Sequence, residues 1–96
     1  MKVRNINGTS DTNCACGSWL QHWKNFSGEP VGSYCKEVKC NKPPEVGAHV
    51  QKEDTSDSRW YIVPLCKDHN NMRGETIEVM SGTKLVSANK KETCEK

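Results

Sequence analysis

Cysteine and histidine residues at metal-binding spacings are the most chemically informative feature of this 96-residue sequence. Four residues separate Cys35 from Cys40, and two residues separate Cys66 from His69. The two-residue gap on the first turn of a helix aims both side chains at a common point. Thiolate sulfur and imidazole nitrogen are the ligands of structural zinc, and four of them close a tetrahedral site. The sequence therefore predicts a structural zinc site formed by Cys35, Cys40, Cys66 and His69.

The other three cysteines allow a second metal site. Cys14 and Cys16 form a Cys-x-Cys pair, His22 follows six residues after Cys16, and Cys94 lies almost at the C-terminus. A second zinc ion bound by these four residues would tie the two ends of the chain together and would use every cysteine. Three alternatives stay open, namely a disulfide from Cys94 to Cys14 or Cys16, a free thiol at Cys94, and a different division of the ligands between the two clusters.

Six cysteines also allow a scaffold made of disulfides, so the expected compartment matters. The N-terminal segment lacks the apolar stretch of a secretion signal, which favours a reducing, cytoplasmic location where cysteine clusters more often bind metal. Two glycosylation sequons, at 7–9 and 25–27, keep a secreted, disulfide-stapled domain open as an alternative. No apolar run approaches the roughly 20 residues needed to cross a bilayer, so no membrane partner is expected.

The composition explains why the fold needs a bound metal or disulfide bonds for stability. Only 33% of the residues are hydrophobic and 27% are charged, which leaves little apolar surface to offset the entropy of ordering the chain. Small domains with a poor core gain stability from a bound metal or from disulfides. We therefore expect one zinc-stabilised domain over residues 1–96, monomeric, and unfolded or molten without its metal. The net charge of +2 is too small to predict a nucleic-acid partner by itself.

The elements that must position the ligands can be outlined from sequence patterns. Residues 1–13 are polar and predict a short strand or a loose arm. Ser18 is a suitable N-cap for a helix over 19–27, which Gly28 would end. The apolar face of this helix, which we expect in the core, contains Trp19, Leu20, Trp23 and Phe26.

Two pairs of strands are predicted in the rest of the chain, with the ligand-bearing helix between them. The predicted elements are strands at 46–51 and 60–65, a short helix at 66–72, and strands at 76–80 and 84–87. Within each pair the strands are close in sequence, so we expect a first hairpin with a long polar loop and a second, C-terminal hairpin.

The order of cysteine knuckle, hairpin and helix resembles a treble-clef zinc finger and, within that group, the HNH (ββα-metal) nuclease family. The resemblance covers residues 35–71. Gly-Ala-His-Val at 47–50 resembles the family's first strand, and Ile-Val-Pro-Leu-Cys-Lys-Asp-His-Asn at 62–70 is similar to its strand-to-helix segment. The whole chain also looks like small uncharacterised bacterial and phage proteins that share Cys-Ala-Cys-Gly-Ser-Trp, Gly-Ala-His-Val-Gln and Pro-Leu-Cys-x-x-His-Asn.

The resemblance implies an α+β domain with defined roles for several residues. His49 matches the histidine that activates water, and Cys66 and His69 match the structural zinc pair. Asn70 stands where the family has its catalytic-metal histidine and would suit Mg²⁺ or Mn²⁺ through its oxygen. Tyr61 stands where the family has an orienting asparagine, whose amide geometry tyrosine lacks.

Two functions follow from this pattern. The departures at Asn70 and Tyr61 favour a non-catalytic zinc-binding module that presents a surface to protein or nucleic acid. This module would hold one zinc ion, or two if the second ligand set also binds. The alternative is a nuclease that depends on Mg²⁺ or Mn²⁺ and uses His49 as its general base.

Overall fold

The computed structural model describes residues 1–6, 18–53, 56–72 and 74–89, and these residues form an α+β fold. The strands are β1 (Lys2–Asn5), β2 (Val46–Lys52), β3 (Tyr61–Leu65), β4 (Thr76–Glu78) and β5 (Val86–Ser87). The helices are α1 (Trp19–Ser27) and α2 (Lys67–Asn70). All the strand pairs are antiparallel, and the strand order across the sheet is β4-β1-β2-β3-β5. Within the described ranges, no helix is long and apolar enough to cross a membrane.

Strands β2 and β3 form the centre of the sheet, and the first predicted hairpin is confirmed. They pair from Val46 opposite Leu65 to Val50 opposite Tyr61. Every residue of β3 is buried, which agrees with its continuous apolar sequence. Strand β1 pairs with the free edge of β2, so the polar N-terminal segment begins as an ordered strand rather than a loose arm.

The sheet separates two apolar clusters, one on each side. The cluster on one side, which we call the metal face, consists of Val3, Cys35, Ala48, Val50, Tyr61, Val63, Leu65, Cys66, Ile77 and Val79. The cluster on the other side, which we call the helix face, consists of Trp19, Trp23, Ile62 and Val86. Successive side chains of a strand point to opposite faces, so Ala48 and Val50 lie on the metal face while His49 lies on the helix face.

The second predicted hairpin is wrong. Strand β4 pairs with β1 at one edge of the sheet, whereas β5 pairs with β3 at the other edge. Ile77 of β4 packs in the metal-face cluster, and Val86 of β5 packs in the helix-face cluster. Alternation in the two segments indicates that each is half-buried, but it does not identify the partner strand.

Helix α1 packs on the helix face and has the predicted bounds. The Ser18 hydroxyl accepts a hydrogen bond from the Gln21 amide at 3.0 Å, and Gly28 ends the helix with a left-handed φ of 74°. Of its predicted core residues, Trp19 and Trp23 are buried and Leu20 is half-buried. The prediction is wrong for Phe26, which is 46% exposed because His22 takes the buried place one turn earlier and Phe26 packs on its ring.

Helix α1 lies so close to β2 that a side chain at Gly47 would collide with it. A Cβ atom at Gly47 would lie 2.4 Å from the carbonyl carbon of Trp19 and 2.6 Å from the nitrogen of Leu20. Both of these are backbone atoms, which cannot move aside as a flexible side chain can. The glycine of the Gly-Ala-His-Val motif therefore allows the close packing of α1 on the sheet.

Candidate metal centre

Four potential metal ligands meet on the metal face of the sheet. The ligand atoms of Cys35, Cys40, Cys66 and His69 all lie within 4.8 Å of one another. The Nδ1 atom of His69 lies 3.2 Å from Cys66 Sγ and 3.6 Å from Cys35 Sγ, and the Sγ atoms of Cys40 and Cys66 are 3.8 Å apart. The structure thus brings together all four residues that the sequence predicts for the first zinc site.

These separations fit a tetrahedral zinc ion. With Zn–S bonds of about 2.3 Å and Zn–N bonds of about 2.0 Å, two sulfurs lie about 3.8 Å apart and a sulfur and a nitrogen about 3.5 Å apart. The measured distances of 3.8 Å and 3.6 Å agree with this geometry, and the 3.2 Å distance is a few tenths shorter. Three thiols and one imidazole are also the donor set that favours zinc over calcium or magnesium.

Helix α2 presents two of the four ligands. Cys66 is its N-cap residue, and the Cys66 sulfur accepts a hydrogen bond from the backbone amide of His69 at 3.5 Å. This bond holds the two ligands of the Cys-x-x-His pair one turn apart on the same side of the helix. The helix covers Lys67–Asn70 and is shorter than predicted, with Asn71 as its C-cap residue.

The knuckle, which we define as residues 35–40, supplies the other two ligands and is held by backbone hydrogen bonds. The amide of Lys36 donates to the carbonyl of Pro64 on β3, and that of Val38 donates to the carbonyl of Glu78 on β4, each at 3.0 Å. The amide of Lys42 lies 3.5 Å from Cys40 Sγ and donates to it. The knuckle is therefore fixed to both the centre and the edge of the sheet.

Burial differs among the three thiols and raises the pKa of Cys35. Cys35 and Cys66 are buried, whereas Cys40 is half-buried. Burial raises the pKa of Cys35 to about 12, although hydrogen bonds from the backbone of Glu37 and Cys66 act in the opposite direction. The Cys35 thiol is thus protonated at neutral pH without a metal, and a metal ion must displace its proton.

Cys35, Cys40 and Cys66 are free thiols, so none of these three supports the disulfide alternative. The 3.8 Å between the sulfurs of Cys40 and Cys66 is far longer than the ~2.05 Å of a disulfide bond. Cys14, Cys16 and Cys94 lie outside the described residues. A disulfide or a second metal site among them stays a prediction.

His22, the fourth predicted ligand of the second site, lies fully buried on the helix face. Its Nε2 atom is 2.8 Å from the carbonyl oxygen of Ser87 on β5. Since a carbonyl can only accept, Nε2 carries a proton and donates this hydrogen bond. His22 thus lies near the start of α1, six residues after Cys16 in sequence. Its ring contacts β5, the strand that precedes Cys94 in sequence.

His49 is buried on the helix face between two indole rings. Its ring centroid lies 4.7 Å from that of Trp19 and 6.3 Å from that of Trp60, and both contacts are edge-on. Burial, together with the nearby His22, lowers the pKa of His49 to about 4. The imidazole is therefore neutral at physiological pH.

His49 and the backbone of Asn70, which the nuclease hypothesis assigns to one site, lie on opposite faces of the sheet. Asn5 pairs with Val50 on the metal face, and its side-chain amide donates to the carbonyl of Asn70 at 2.7 Å. The backbone of Asn70 thus lies on the face opposite to His49. Tyr61, at the position of the orienting asparagine, donates its hydroxyl proton to Asp57 at 2.5 Å rather than to His49.

Asn5 also contacts the candidate metal centre, although the sequence pattern did not predict this. Its side-chain Nδ2 also donates to the carbonyl of the ligand His69, at 3.1 Å. The sequence contains one indication of this contact. Val3 and Asn5 are two residues apart, so in a strand they lie on the same face, which places the amide of Asn5 beside a buried apolar residue. A single polar residue in a strand pattern does not identify a partner 64 residues away.

No protein-family model, curated protein or solved structure matches the chain. The candidate metal centre therefore rests on the four converging ligands and on the distances between their donor atoms.

Proposed function

We propose that this chain is a zinc-binding domain in which Cys35, Cys40, Cys66 and His69 hold one structural Zn²⁺ ion. The observation that carries the proposal is the convergence of four soft ligand atoms within 4.8 Å, at separations that a tetrahedral zinc ion requires. The treble-clef interpretation agrees with the order of the ligand-bearing elements, which is knuckle, hairpin and helix.

A structural role for the zinc follows from the ligand count. Four protein ligands fill a tetrahedral site and leave no position for a water molecule or a substrate, whereas catalytic zinc sites keep one position open. Two of the ligands are buried cysteines of the metal-face cluster, so the ion would complete the core on that side of the sheet. The zinc therefore contributes folding free energy rather than chemistry.

The domain acts, in this proposal, as an interaction module for a protein or a nucleic acid. Charges on the surface beside the cluster are balanced, since Lys42 forms an ion pair with Asp68, and Lys67 forms one with Glu45. Apolar side chains in the knuckle and just before it are also exposed, with Val38 42% exposed and Tyr34 56% exposed. Balanced charge and exposed apolar groups favour a protein partner over a nucleic acid.

Native mass spectrometry with elemental analysis, on protein purified without added metal or chelator, tests the zinc proposal. We expect at least one zinc ion per chain, and we expect Cys40→Ser to lose that ion. Asn41→Ser is the matched control, because Asn41 is exposed, follows Cys40 in sequence and belongs to neither predicted ligand set. Wild-type protein without metal, or a Cys40→Ser variant with the full zinc content, would contradict the proposal.

We propose a second zinc ion at Cys14, Cys16, His22 and Cys94. The position of His22 supports it, because this residue hydrogen-bonds β5 and lies one turn after the N-cap of α1. The same mass measurement separates the two sites. Two zinc ions in the wild type and one in Cys94→Ser would support both sites, whereas an unchanged count in Cys94→Ser would contradict the second.

A further inference from the structure

Asn5 is a fully buried amide at an inward position of β1. Burying an amide without hydrogen bonds is costly, so its partners indicate what it does. Its Nδ2 atom donates to two neighbouring carbonyl oxygens of α2, at 3.1 Å to His69 and 2.7 Å to Asn70. The amide therefore joins the N-terminal strand to the helix that carries a metal ligand.

The short length of α2 makes this contact important for His69. The last four carbonyls of a helix lack partners within it, and α2 has only 4 residues. The amide of His69 donates to Cys66 Sγ, and its carbonyl accepts from the Met72 amide and from Asn5 Nδ2, each at 3.1 Å. Asn5 is thus the partner of this carbonyl that lies on the sheet, and it links the ligand residue to β1.

The backbone of Asn5 also hydrogen-bonds the segment between α2 and β4. Its amide donates to the carbonyl of Glu75 at 3.0 Å, and its carbonyl accepts from the amide of Gly74 at 2.7 Å. The same residue therefore contacts the chain at the end of α2 and again where it approaches β4. A shift of β1 would be transmitted directly to the backbone of His69.

We infer that Asn5 is a positioning residue of the metal centre, which sets the orientation of the His69 imidazole through the backbone carbonyl of that residue. The inference deepens the proposed function and rests on it. Residues that hydrogen-bond the ligating group itself typically contribute 10- to 100-fold to metal affinity. Asn5 acts through the backbone of His69, so loss of its amide is expected to weaken zinc binding by about 10-fold, the low end of that range.

The test compares Asn5→Leu with Val3→Ala. Both positions are fully buried on the metal face of β1, but Val3 packs in the apolar cluster, and its side chain has no group that can hydrogen-bond α2. Zinc affinity is measured by competition with a chromophoric chelator, and the geometry of the site by the absorption spectrum of Co²⁺-loaded protein. We expect Asn5→Leu to lose about 10-fold in zinc affinity and to change the Co²⁺ ligand-field bands, and Val3→Ala to keep the wild-type spectrum.

The outcomes separate this inference from the proposed function. A wild-type protein that binds neither ion overturns both. A wild-type protein that binds both ions, with an Asn5→Leu variant that matches Val3→Ala in spectrum and affinity, overturns the role of Asn5 alone.

If Asn5→Leu does not fold, hydrogen exchange in the wild-type protein tests the inference instead. In zinc-loaded protein, the side-chain amide protons of Asn5 should exchange with solvent more slowly than those of exposed Asn41, and chelation should abolish the difference. Equal exchange rates in the loaded protein would overturn the inference.

Discussion

The imidazole of His49 lies edge-on to the indole of Trp19, with ring centroids 4.7 Å apart. This contact joins the central strand β2 to helix α1, and it leaves His49 only 5% exposed. A charged imidazolium would lose its hydration there, which is why burial lowers its pKa to about 4. The contact gives His49 a packing role that its Gly-Ala-His-Val context does not reveal.

The titration of His49 provides a first prediction. An NMR titration of the imidazole should give a pKa of about 4 for His49, well below the ordinary value of about 6.5. The lowered pKa means that the folded state binds fewer protons than the unfolded state. The stability from neutral His49 is therefore complete above pH 6.5 and is lost as the pH falls toward 4, by about 3 kcal/mol in total. A pKa near 6.5 in the folded protein would contradict this.

A matched variant isolates this effect from acid release of the metal. His49→Phe keeps a ring beside Trp19 but cannot take up a proton. Urea unfolding at pH 7.5 and 5.5 should show that the wild type loses about 1 kcal/mol more than His49→Phe over this interval. Equal losses in the two proteins would show that another group is responsible.

Gly47→Ala is predicted to displace α1 from the sheet. The added Cβ would meet the backbone of Trp19 and Leu20 at 2.4–2.6 Å, so the free energy of unfolding should fall by about 3 kcal/mol. The control is Gly82→Ala, where no atom lies within 4 Å of the added Cβ but φ is +85°. That variant should lose only about 1 kcal/mol through backbone strain. Equal losses in the two variants would contradict the close approach of α1.

Removal of zinc is predicted to unfold the domain. Cys35 and Cys66 belong to the buried cluster on the metal face, and the two predicted sites would fix both the knuckle and the ends of the chain. Excess chelator at neutral pH should collapse the amide NMR spectrum to that of an unfolded or molten chain. Cys66→Ala should do the same even with zinc present. A dispersed spectrum from the metal-free variant would show that the sheet folds without the ion.

The sequence predicts local elements of this protein better than long-range partners. Ser18 and Gly28 determine the bounds of α1 locally, and the Cys66–His69 spacing predicts a ligand pair on one helical turn. The pairing of β1 with β2 and β4 is not contained in any local pattern, because segments far apart in sequence meet there. The role of Asn5 depends on that pairing, and for this reason it could not be predicted.

The same limit applies to His49. Its motif resembles the first strand of a nuclease, but the side of the sheet on which the histidine lies depends on the register and on what packs above it. The partners Trp19 and Trp60 come from separate parts of the chain. Only the folded structure shows that His49 lies on the helix face while the candidate metal centre lies on the other.

This separation leads to the prediction that the domain does not cut DNA. A phosphodiester cleavage site needs a base beside the attacking water and a divalent ion on the leaving oxygen. His49 lies under Trp19 on the helix face, and the backbone of Asn70 is bound to Asn5 on the metal face. Zinc-loaded protein incubated with supercoiled plasmid and Mg²⁺ or Mn²⁺ should therefore leave the plasmid intact. Nicking that requires the added metal and disappears in a folded His49→Ala variant would instead establish the nuclease function, and would require α1 to move away from the sheet.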